Sequence, residues 1–463
     1  MPFPFSRGLL GTSLSQRRSA FDVLGHWLHW RIMGPPLEFD PRNPLIKVGF
    51  WAFLISVFMA VAARGLAGDE EVSHYLIARH ALEQPSLFLS LAGRPLVNVV
   101  LALPAHAGLI GARIASALAS AACAYAVART ARVGGLGSPW LAALLLFIQP
   151  FFLAHCGTAM TEPWAAAILA GMLLAFTEER HRLLIILAAI FPLARMETLV
   201  FWPAVMFLAW RSPARAWLGF LPVPVLVLHV LGAIASGDPL WLLHQSRLQA
   251  YPQREVLHYV KSWVWTLGLG LFPAVSLGLA TSIIGFRGDD SNASRRAQRV
   301  LRASACSALI LLALYSGLAA LRPVTFGNLR YLAIAAPAFA LLGVGGVRQI
   351  TRGRLRPVHW IVLGLTLVGA ATLWGHPWIR DFAVLRRRDV LPAVMAVLWI
   401  ALAFGASRMR NVQWVPVIAG LMAVVNLSDI VWRHRNTLHW EDVPEHKAVR
   451  DAARILPRVL PAG

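Results

Sequence analysis

An acidic cluster of Asp69, Glu70 and Glu71 directly follows a long apolar run, residues 48–66. The chain of 463 residues holds only 22 Asp and Glu, and three of them are adjacent here. An ionised carboxylate at the edge of a bilayer is costly to keep and usually has a function. A positioned carboxylate can accept a proton from an attacking group. General-base chemistry is therefore the first hypothesis for this cluster.

Other polar side chains also occur at the ends of apolar runs rather than in their centres. They are His74, Thr161, Glu162, Arg195, Glu197, Arg322, Asn328 and Arg330, and, in the loop 236–262, Asp238, His244, Arg247, Tyr251, Arg254, His258, Tyr259 and Lys261. Carboxylates and guanidinium groups on one membrane face would suit a phosphate-bearing ligand together with a proton acceptor.

Each of these residues also has a structural interpretation. The acidic cluster could be a solvated loop or a helix N-cap, and Glu162 could cap the span that follows it. Arg195 and Glu197 could be a charge pair at the tip of a helical hairpin, and Arg330 an interface anchor. Their joint occurrence favours a site. His155 beside Cys156 is too little for a metal site.

Composition sets the class of protein. Hydrophobic residues make up 57% of the chain and charged residues 14%, with a mean hydropathy of +0.61. Soluble domains carry about 25% charged residues, so the chain is predicted to be a multi-span membrane protein. The net charge of +21 lies mostly in Arg between the apolar runs, which fits anionic lipid headgroups and disfavours nucleic-acid binding. Three distant cysteines predict no disulfide framework.

A membrane span needs about 20 apolar residues. Runs near that length occur at 48–66, 108–128, 139–154, 160–176, 215–235, 263–286, 300–321, 329–347, 358–375, 390–405 and 412–431. The region 183–210 is interrupted at Arg195-Met196-Glu197 and could be one kinked span or a hairpin of two.

The bias of Arg between the two membrane faces favours the hairpin. With the hairpin, the Arg-rich loops 287–302 and 348–356 both lie on the inner side, and the acidic cluster and Arg195 lie on the outer side. Residues 380–388, which include four Arg, fall outside under this topology. Either a late span is miscounted or this basic patch holds an anionic ligand.

In these motifs and their order the chain resembles the GT-C superfamily of polytopic glycosyltransferases. The resemblance covers roughly residues 45–350 and rests on order and shared sidedness rather than on any one motif. The matching segments are Gly68-Asp69-Glu70-Glu71, Met160-Thr161-Glu162-Pro163, Leu193-Ala194-Arg195-Met196-Glu197, Ser236-Gly237-Asp238-Pro239-Leu240 and Asn328-Leu329-Arg330-Tyr331 followed by Pro337. Met196 stands where the superfamily has Pro in an Arg-Pro-Glu turn.

The resemblance implies an all-α polytopic membrane protein of about 12–13 transmembrane helices, with outer-face amphipathic helices after the first span. It implies a basic cytoplasmic tail at 1–47, a catalytic membrane domain at 48–350, variable helices at 351–431 and a C-terminal tail at 432–463. We expect a multi-pass protein of a bacterial inner membrane with a periplasm-facing active site.

The implied reaction moves a sugar, with inversion, from a polyprenyl phosphate to an acceptor hydroxyl on a glycan, lipid or protein. Asp69 would be the general base, with Glu70 as its support or as the base if the register differs by one. Glu71 is assigned to the solvated face. Donor binding is assigned to Arg195, Glu197, Arg330, His74 and Arg247, with support from Glu162, Asn328 and Tyr331. We predict no cofactor, no metal and no nucleic-acid partner.

Two other functions stay open. A secondary transporter or flippase would place charges inside span centres and repeat its two halves, and neither pattern is evident. An enzyme like an O-antigen ligase or polymerase would share the Arg-rich outer loop but would not need the early acid pair.

Overall fold

The computed structural model describes residues 43–63, 67, 69–245, 256–286, 291–321, 328–352, 355–374, 391–408 and 413–433. Every regular element in this part of the chain is helical. Six helices are long and apolar enough to span a bilayer: Pro44–Ala62, Leu109–Val133, Arg215–Ser236, His258–Ile284, Asn292–Ala320 and Leu329–Thr351. Seven shorter apolar helices accompany them within the described ranges. The prediction of an all-α, multi-pass membrane protein is confirmed.

The described residues form a succession of α-helices. They are α1 Pro44–Ala62, α2 Asp69–His80, α3 Pro95–His106, α4 Leu109–Val133, α5 Pro139–Phe147, α6 Pro150–His155, α7 Glu162–Thr177, α8 His181–Ala194, α9 Trp202–Trp210, α10 Val223–Ser236, α11 Trp241–Gln245, α12 His258–Lys261, α13 Trp263–Ile284, α14 Asn292–Leu321, α15 Ala336–Thr351, α16 Pro357–Trp374, α17 Leu391–Arg408 and α18 Trp414–Arg433. Turns of 3₁₀ helix occur at Pro85–Leu89, Met196–Phe201, Arg215–Phe220 and Leu329–Ala335.

Local sequence explains where the first span begins. Asn43 precedes α1, and its side-chain oxygen accepts a hydrogen bond of 3.0 Å from the backbone N–H of Leu45. Pro44 then occupies the first helical turn, where its missing N–H costs nothing. The span therefore begins inside the range 1–47 that was predicted to be a tail. The other tail, 432–463, lies outside the described residues apart from its first two positions.

The centre of the bundle is the close packing of α13 on α15. A side-chain carbon placed on Gly278 would lie 1.9 Å from the carbonyl oxygen of Leu342, and one on Gly346 would lie 2.0 Å from that of Ala274. Small residues let the two backbones approach, which is how membrane helices gain packing energy. Nearly all of α15 is consequently buried. This fixes the 3₁₀ turn Leu329–Ala335, which leads directly into α15.

Residues 183–210 form a helical hairpin, which is the predicted alternative that the Arg bias favours. The indole N–H of Trp202 donates a 2.9 Å hydrogen bond to the carbonyl of Ala188, and the rings of Phe191 and Phe201 lie 5.6 Å apart. Contacts between residues on either side of a midpoint require the chain to reverse there. Arg195 sits at that point in an extended conformation (φ −156°, ψ 112°), which ends α8.

Large apolar side chains cover the outside of the bundle. Phe58 on α1 and Phe207 on α9 are 64% and 78% exposed. Exposed apolar surface of this extent would be unfavourable in water and is what a bilayer accommodates. Polar groups that are buried between the helices therefore need a partner or a function.

Candidate active site

Four segments bring polar residues together at one end of the helix bundle. They are the first turns of α2, the turn before α7, the tip of the α8–α9 hairpin and the 3₁₀ turn before α15. Electrostatic and hydrogen-bond contacts link the segments that were predicted to converge, although their members are as much as 260 positions apart in the chain. The joint occurrence seen in the sequence thus corresponds to a spatial cluster.

Arg195 is the most heavily bonded residue of the cluster. Its Nε lies 2.7 Å from Oε1 of Glu197, and its Nη1 lies 3.1 Å from Oε1 of Glu162 and 3.2 Å from the Thr161 hydroxyl. The guanidinium carbon lies 4.6 Å from the ring centroid of Tyr331, a distance that suits a cation–π contact. Arg195 is buried, and these contacts occupy both of its carboxylate-facing edges.

An aromatic group backs Arg195 on the side of α14. The Tyr315 hydroxyl donates a 3.1 Å hydrogen bond to Oε1 of Glu197, so the two groups hold this carboxylate together. The ring of Tyr315 stacks on Tyr331 at 5.5 Å and lies 5.7 Å from Tyr259. Glu197, which was predicted to bind the donor, accepts bonds from Arg195 and Tyr315. Its role in the described structure is to orient them.

Arg330 is placed by its own turn and is bonded less completely. Asn328 caps this turn, and its side-chain oxygen accepts a 3.4 Å hydrogen bond from the Arg330 N–H. The guanidinium is in direct contact with Oε2 of Glu70, and its Nε lies 3.5 Å from Oε1 of Glu162. Neither Nε nor Nη2 makes a well-aligned hydrogen bond within the described structure. Arg330 is therefore held by ion-pair contacts that are not aligned hydrogen bonds.

Glu162 and Glu70 differ in exposure and therefore in what they can do. The Glu162 side chain is 2% exposed, and its Oε1 is shared by Arg195 and Arg330. Glu162 lies in the first turn of α7, where the helix dipole also favours a negative charge. The Glu70 side chain is 46% exposed and touches only Arg330 among these residues. Glu162 thus organises the cations, whereas Glu70 lies at the open rim.

His74 lies beneath these charges on α2 and is neutral. Burial, followed by the nearby Arg94, lowers the pKa of His74 from 6.5 to about 4. Its Nδ1 has no hydrogen-bond partner in the described structure. At neutral pH His74 can therefore donate a hydrogen bond to a phosphate but cannot supply a positive charge. Its predicted role in donor binding is limited to that hydrogen bond.

Glu71 is buried, so its assignment to the solvated face is wrong. Its oxygens accept bonds from Arg113 Nε and Nη2, both at 2.8 Å, and from the backbone N–H groups of Ala67 (2.7 Å) and Ala159 (2.9 Å). Arg113 Nη1 in turn donates to the Ala63 carbonyl at 2.7 Å. Burial alone would raise the pKa of Glu71, but the Arg113 hydrogen bonds outweigh it and lower that pKa. The pair locks the start of α2 against α1 and α4.

The sequence reading missed three residues. Arg113 and Tyr315 lie within predicted spans, and an ionisable residue inside a span is a signal in itself. Arg94 lies between Gly93 and Pro95 with a positive φ of 65°, and its guanidinium donates to the Leu91 carbonyl at 3.2 Å. Backbone strain of this kind often occurs near functional sites.

Most of the predicted site residues are thus in one place. The structure brings together Glu70, His74, Glu162, Arg195, Glu197, Asn328, Arg330 and Tyr331. Asp69 is the first residue of α2, but its side chain lies outside the described part, as does Arg247. Within the described residues, no group of three or more His, Cys, Asp or Glu could hold a metal ion.

Comparison with known proteins identifies the fold. No protein-family model matches the chain, and no curated protein matches it. Two crystal structures of ArnT from Cupriavidus metallidurans are similar to it in fold. The structure bound to undecaprenyl phosphate has a TM-score of 0.55 and 15% identity, covering 90% of this chain and 79% of ArnT. The apo structure has a TM-score of 0.56 and 14% identity, covering 91% and 80%. The chain therefore has the GT-C fold, as the order of its motifs predicts.

Proposed function

We propose that this protein is an integral-membrane glycosyltransferase that moves a sugar from a polyprenyl phosphate to an acceptor hydroxyl. The observation that carries the proposal is the buried Arg330 guanidinium, which lies between Glu70 and Glu162 and makes ion-pair contacts without aligned hydrogen bonds at Nε and Nη2. Such a transfer needs a cation for the donor phosphate and a carboxylate for the acceptor proton. The site has a cation beside a carboxylate at its rim. The GT-C fold and the undecaprenyl phosphate bound in one ArnT structure support this donor class.

The donor phosphate would lie against Arg330 and Arg94. Both guanidinium groups retain hydrogen-bonding capacity, since Arg94 makes one bond to a carbonyl and Arg330 makes ion-pair contacts. Charge-assisted bonds to phosphate oxygens are among the strongest that side chains form. The guanidinium of Arg195 is already bonded to Glu162 and Glu197. It would therefore act on the phosphate through the electric field of its charge, and it would position the ring of Tyr331.

The proposed reaction is a single displacement. The acceptor oxygen attacks the anomeric carbon, the bond from that carbon to the phosphate oxygen breaks, and the phosphate leaves with the electron pair. The acceptor proton passes to the carboxylate of Asp69. Glu70, next to it and in contact with Arg330, would keep the base and the phosphate in register. Attack from the face opposite the leaving group inverts the anomeric centre.

The proposed location is a bacterial inner membrane with the site facing the periplasm. The distribution of Arg supports it, because the site lies at the hairpin tip, whereas the Arg-rich first turns of α14 and last turn of α15 lie at the other ends of these helices. Labelling a cysteine placed at position 69 from each side of the membrane would test this. Labelling from the cytoplasmic side would contradict the topology.

The test of the function uses purified protein in vesicles with a panel of radiolabelled polyprenyl-phosphate pentoses and hexoses. Membrane extracts serve as acceptors. We expect consumption of one donor to fall by roughly 100-fold or more for Asp69→Asn, the range that general-base catalysis spans. Glu83→Gln, a change at an exposed acid just after α2, is the matched control and should keep the wild-type rate.

Two outcomes would contradict the proposal. Wild-type transfer by Asp69→Asn would show that this carboxylate is not the base, and Glu70→Gln would then be examined in its place. Accumulation of a solute inside the vesicles, with every lipid-linked sugar intact, would favour a transporter.

A further inference from the structure

A cavity lies between α7, α9 and α14, outside the polar cluster of the candidate active site. It has a volume of about 910 Å³ and an apolar wall that includes Phe176, Phe207 and Leu208. We call it the α7–α9–α14 groove. Ligand pockets usually enclose about 300–1,000 Å³, so the groove can hold a lipid headgroup with the first part of its acyl chains.

A stripe of arginines closes one end of the groove. Arg295, Arg299 and Arg302 lie four and three positions apart on α14 and all line the groove, whereas the neighbouring Arg296 does not. Arg299 pairs with Glu179 at 2.6 Å, and Arg302 Nε donates to the Ser282 carbonyl at 3.2 Å. Among the described residues, three cations face one carboxylate at this end of the groove, an excess of positive charge.

Arg295 is the cation with the most capacity for a ligand. Its side chain is exposed, and within the described residues it has neither an ion-pair nor a hydrogen-bond partner. An arginine that lines an apolar groove without a partner offers five donors to an incoming anion.

Two unsatisfied polar atoms lie in the same wall. The Ser294 hydroxyl, in a residue 3% exposed, and Oε1 of Gln298 have no hydrogen-bond partner among the described residues. Both residues line the groove. Buried polar groups are nearly always bonded in native proteins, so these atoms indicate a ligand with oxygen atoms at this end. Ser294 can donate to a phosphate, and Gln298 can accept from a hydroxyl.

The arginine-lined end of the groove is at the opposite membrane face from the candidate active site. Tyr315, which bonds Glu197 in that site, and Arg295 are on the same helix and roughly 30 Å apart at 1.5 Å per residue. That distance is about the thickness of the hydrocarbon core. A statistical excess of Arg on the inner face explains an exposed basic loop. It does not explain why an apolar groove should have one end lined by arginines.

We propose that the α7–α9–α14 groove binds one anionic phospholipid of the surrounding bilayer. The lipid phosphate lies against Arg295 and Arg302, and an acyl chain lies along Phe176, Phe207 and Leu208. Charge complementarity selects an anionic headgroup over a zwitterionic one. The bound lipid would fill the space between the short hairpin arm α9 and the core of the bundle.

The test is native mass spectrometry of the full-length protein, titrated with phosphatidylglycerol or phosphatidylcholine. Arg295→Gln removes the unpartnered cation, and Arg296→Gln removes the same charge from the same helix outside the groove. Cys306→Trp fills the apolar part of the groove without changing its charge. Melting temperatures in phosphatidylcholine establish that each variant is folded.

We expect wild type and Arg296→Gln to retain one phosphatidylglycerol in preference to phosphatidylcholine. Arg295→Gln should bind it roughly tenfold more weakly, as the loss of a charge-assisted contact predicts, and Cys306→Trp should lose the tight site. Equal weakening by Arg296→Gln, or unchanged binding by Cys306→Trp, would show diffuse surface attraction and overturn the proposal. Retention of undecaprenyl phosphate but not phosphatidylglycerol would also overturn it.

Discussion

Arg195 and Glu162 are in contact although 33 positions separate them, with Nη1 of the arginine 3.1 Å from Oε1 of the glutamate. The contact ties the tip of the α8–α9 hairpin to the first turn of α7. Glu197 holds the other edge of the same guanidinium at 2.7 Å. The planar group thus bridges two carboxylates, which a lysine ammonium cannot do with the same geometry.

Arg195→Lys is therefore expected to keep the charge and lose the bridge. We expect sugar transfer to fall by roughly tenfold to 100-fold, because Glu162 would hold Arg330 less firmly. Arg195→Met would remove the cation that pairs with Glu197 and one of the two that pair with Glu162, and should destabilise the protein by about 3–5 kcal/mol. Arg211→Lys, at the exposed end of α9, is the control for both transfer rate and melting temperature. Full activity of Arg195→Lys would contradict the bridging role.

Arg330 is predicted to bind the donor phosphate directly. Arg330→Gln should weaken binding of undecaprenyl phosphate roughly tenfold to 100-fold, the range for a lost charge-assisted bond. Binding is measured without any sugar, so the result does not depend on the identity of the donor. Arg352→Gln, a change at an exposed arginine after α15, should bind as wild type does. Unchanged binding by Arg330→Gln would remove Arg330 from the donor site.

The Glu71–Arg113 pair is predicted to be structural. Glu71→Leu and Arg113→Met should each destabilise the protein by about 3–5 kcal/mol, since each leaves a buried charge unpaired. The double variant Glu71→Leu/Arg113→Met should lose less than the sum, as expected for residues in contact. Thermal unfolding in one detergent provides the cycle. Additive losses would show that the pair is not coupled.

The same pair makes a prediction about pH. The pKa of Glu71 is lower in the folded state than in the unfolded state, so its ionisation stabilises the fold above its ordinary pKa. This contribution is lost as the pH falls through the lowered pKa. We expect the melting temperature of wild type to fall more steeply in acid than that of the Glu71→Leu/Arg113→Met variant.

Part of this site could be predicted from the sequence and part could not. Glu162, Arg195 and Arg330 are predictable because each is a charged residue that interrupts or flanks an apolar run. Glu71 was misassigned because the pattern of α2 cannot show that Arg113, 42 positions later, reaches it. Tyr315 looked like any aromatic residue of a span, and only the packing of α14 on the hairpin tip reveals its bond to Glu197.

The hairpin illustrates the same limit at the level of the fold. The Arg bias predicts a hairpin of two helices rather than one kinked span. The hydrogen bond from Trp202 to the Ala188 carbonyl shows that the chain reverses its direction between them. The closeness of α13 and α15 was not predicted, because Gly278 and Gly346 are ordinary in apolar runs. Helix existence follows from local composition, whereas helix pairing depends on contacts between distant segments.

His74 makes a prediction of the opposite kind, in which protonation is unfavourable. Its pKa is about 4 when folded and 6.5 otherwise, so the unfolded chain binds more protons between these values. His74 therefore costs stability increasingly as the pH falls from 6.5 towards 4. His74→Gln should reduce the loss of melting temperature over this range, whereas His244→Gln, a change in an exposed histidine paired with Asp238, should not reduce it in this way. Equal curves for His74→Gln and wild type would mean that His74 titrates normally.

The Tyr315 hydroxyl provides the most specific test of positioning, because it touches Glu197 and is outside the proposed reaction centre. Tyr315→Phe keeps the ring that stacks on Tyr331 and removes one hydrogen bond worth about 1 kcal/mol. Of the two groups that hold Glu197, Arg195 would then remain. We expect the rate of sugar transfer to fall by roughly fivefold, with the affinity for the donor unchanged. Tyr331→Phe also keeps its ring under Arg195 and should transfer at nearly the wild-type rate. Tyr331→Leu removes the ring and should behave like Arg195→Lys. If Tyr315→Phe instead weakens binding of undecaprenyl phosphate, the hydroxyl contacts the donor and Glu197 is not its principal partner.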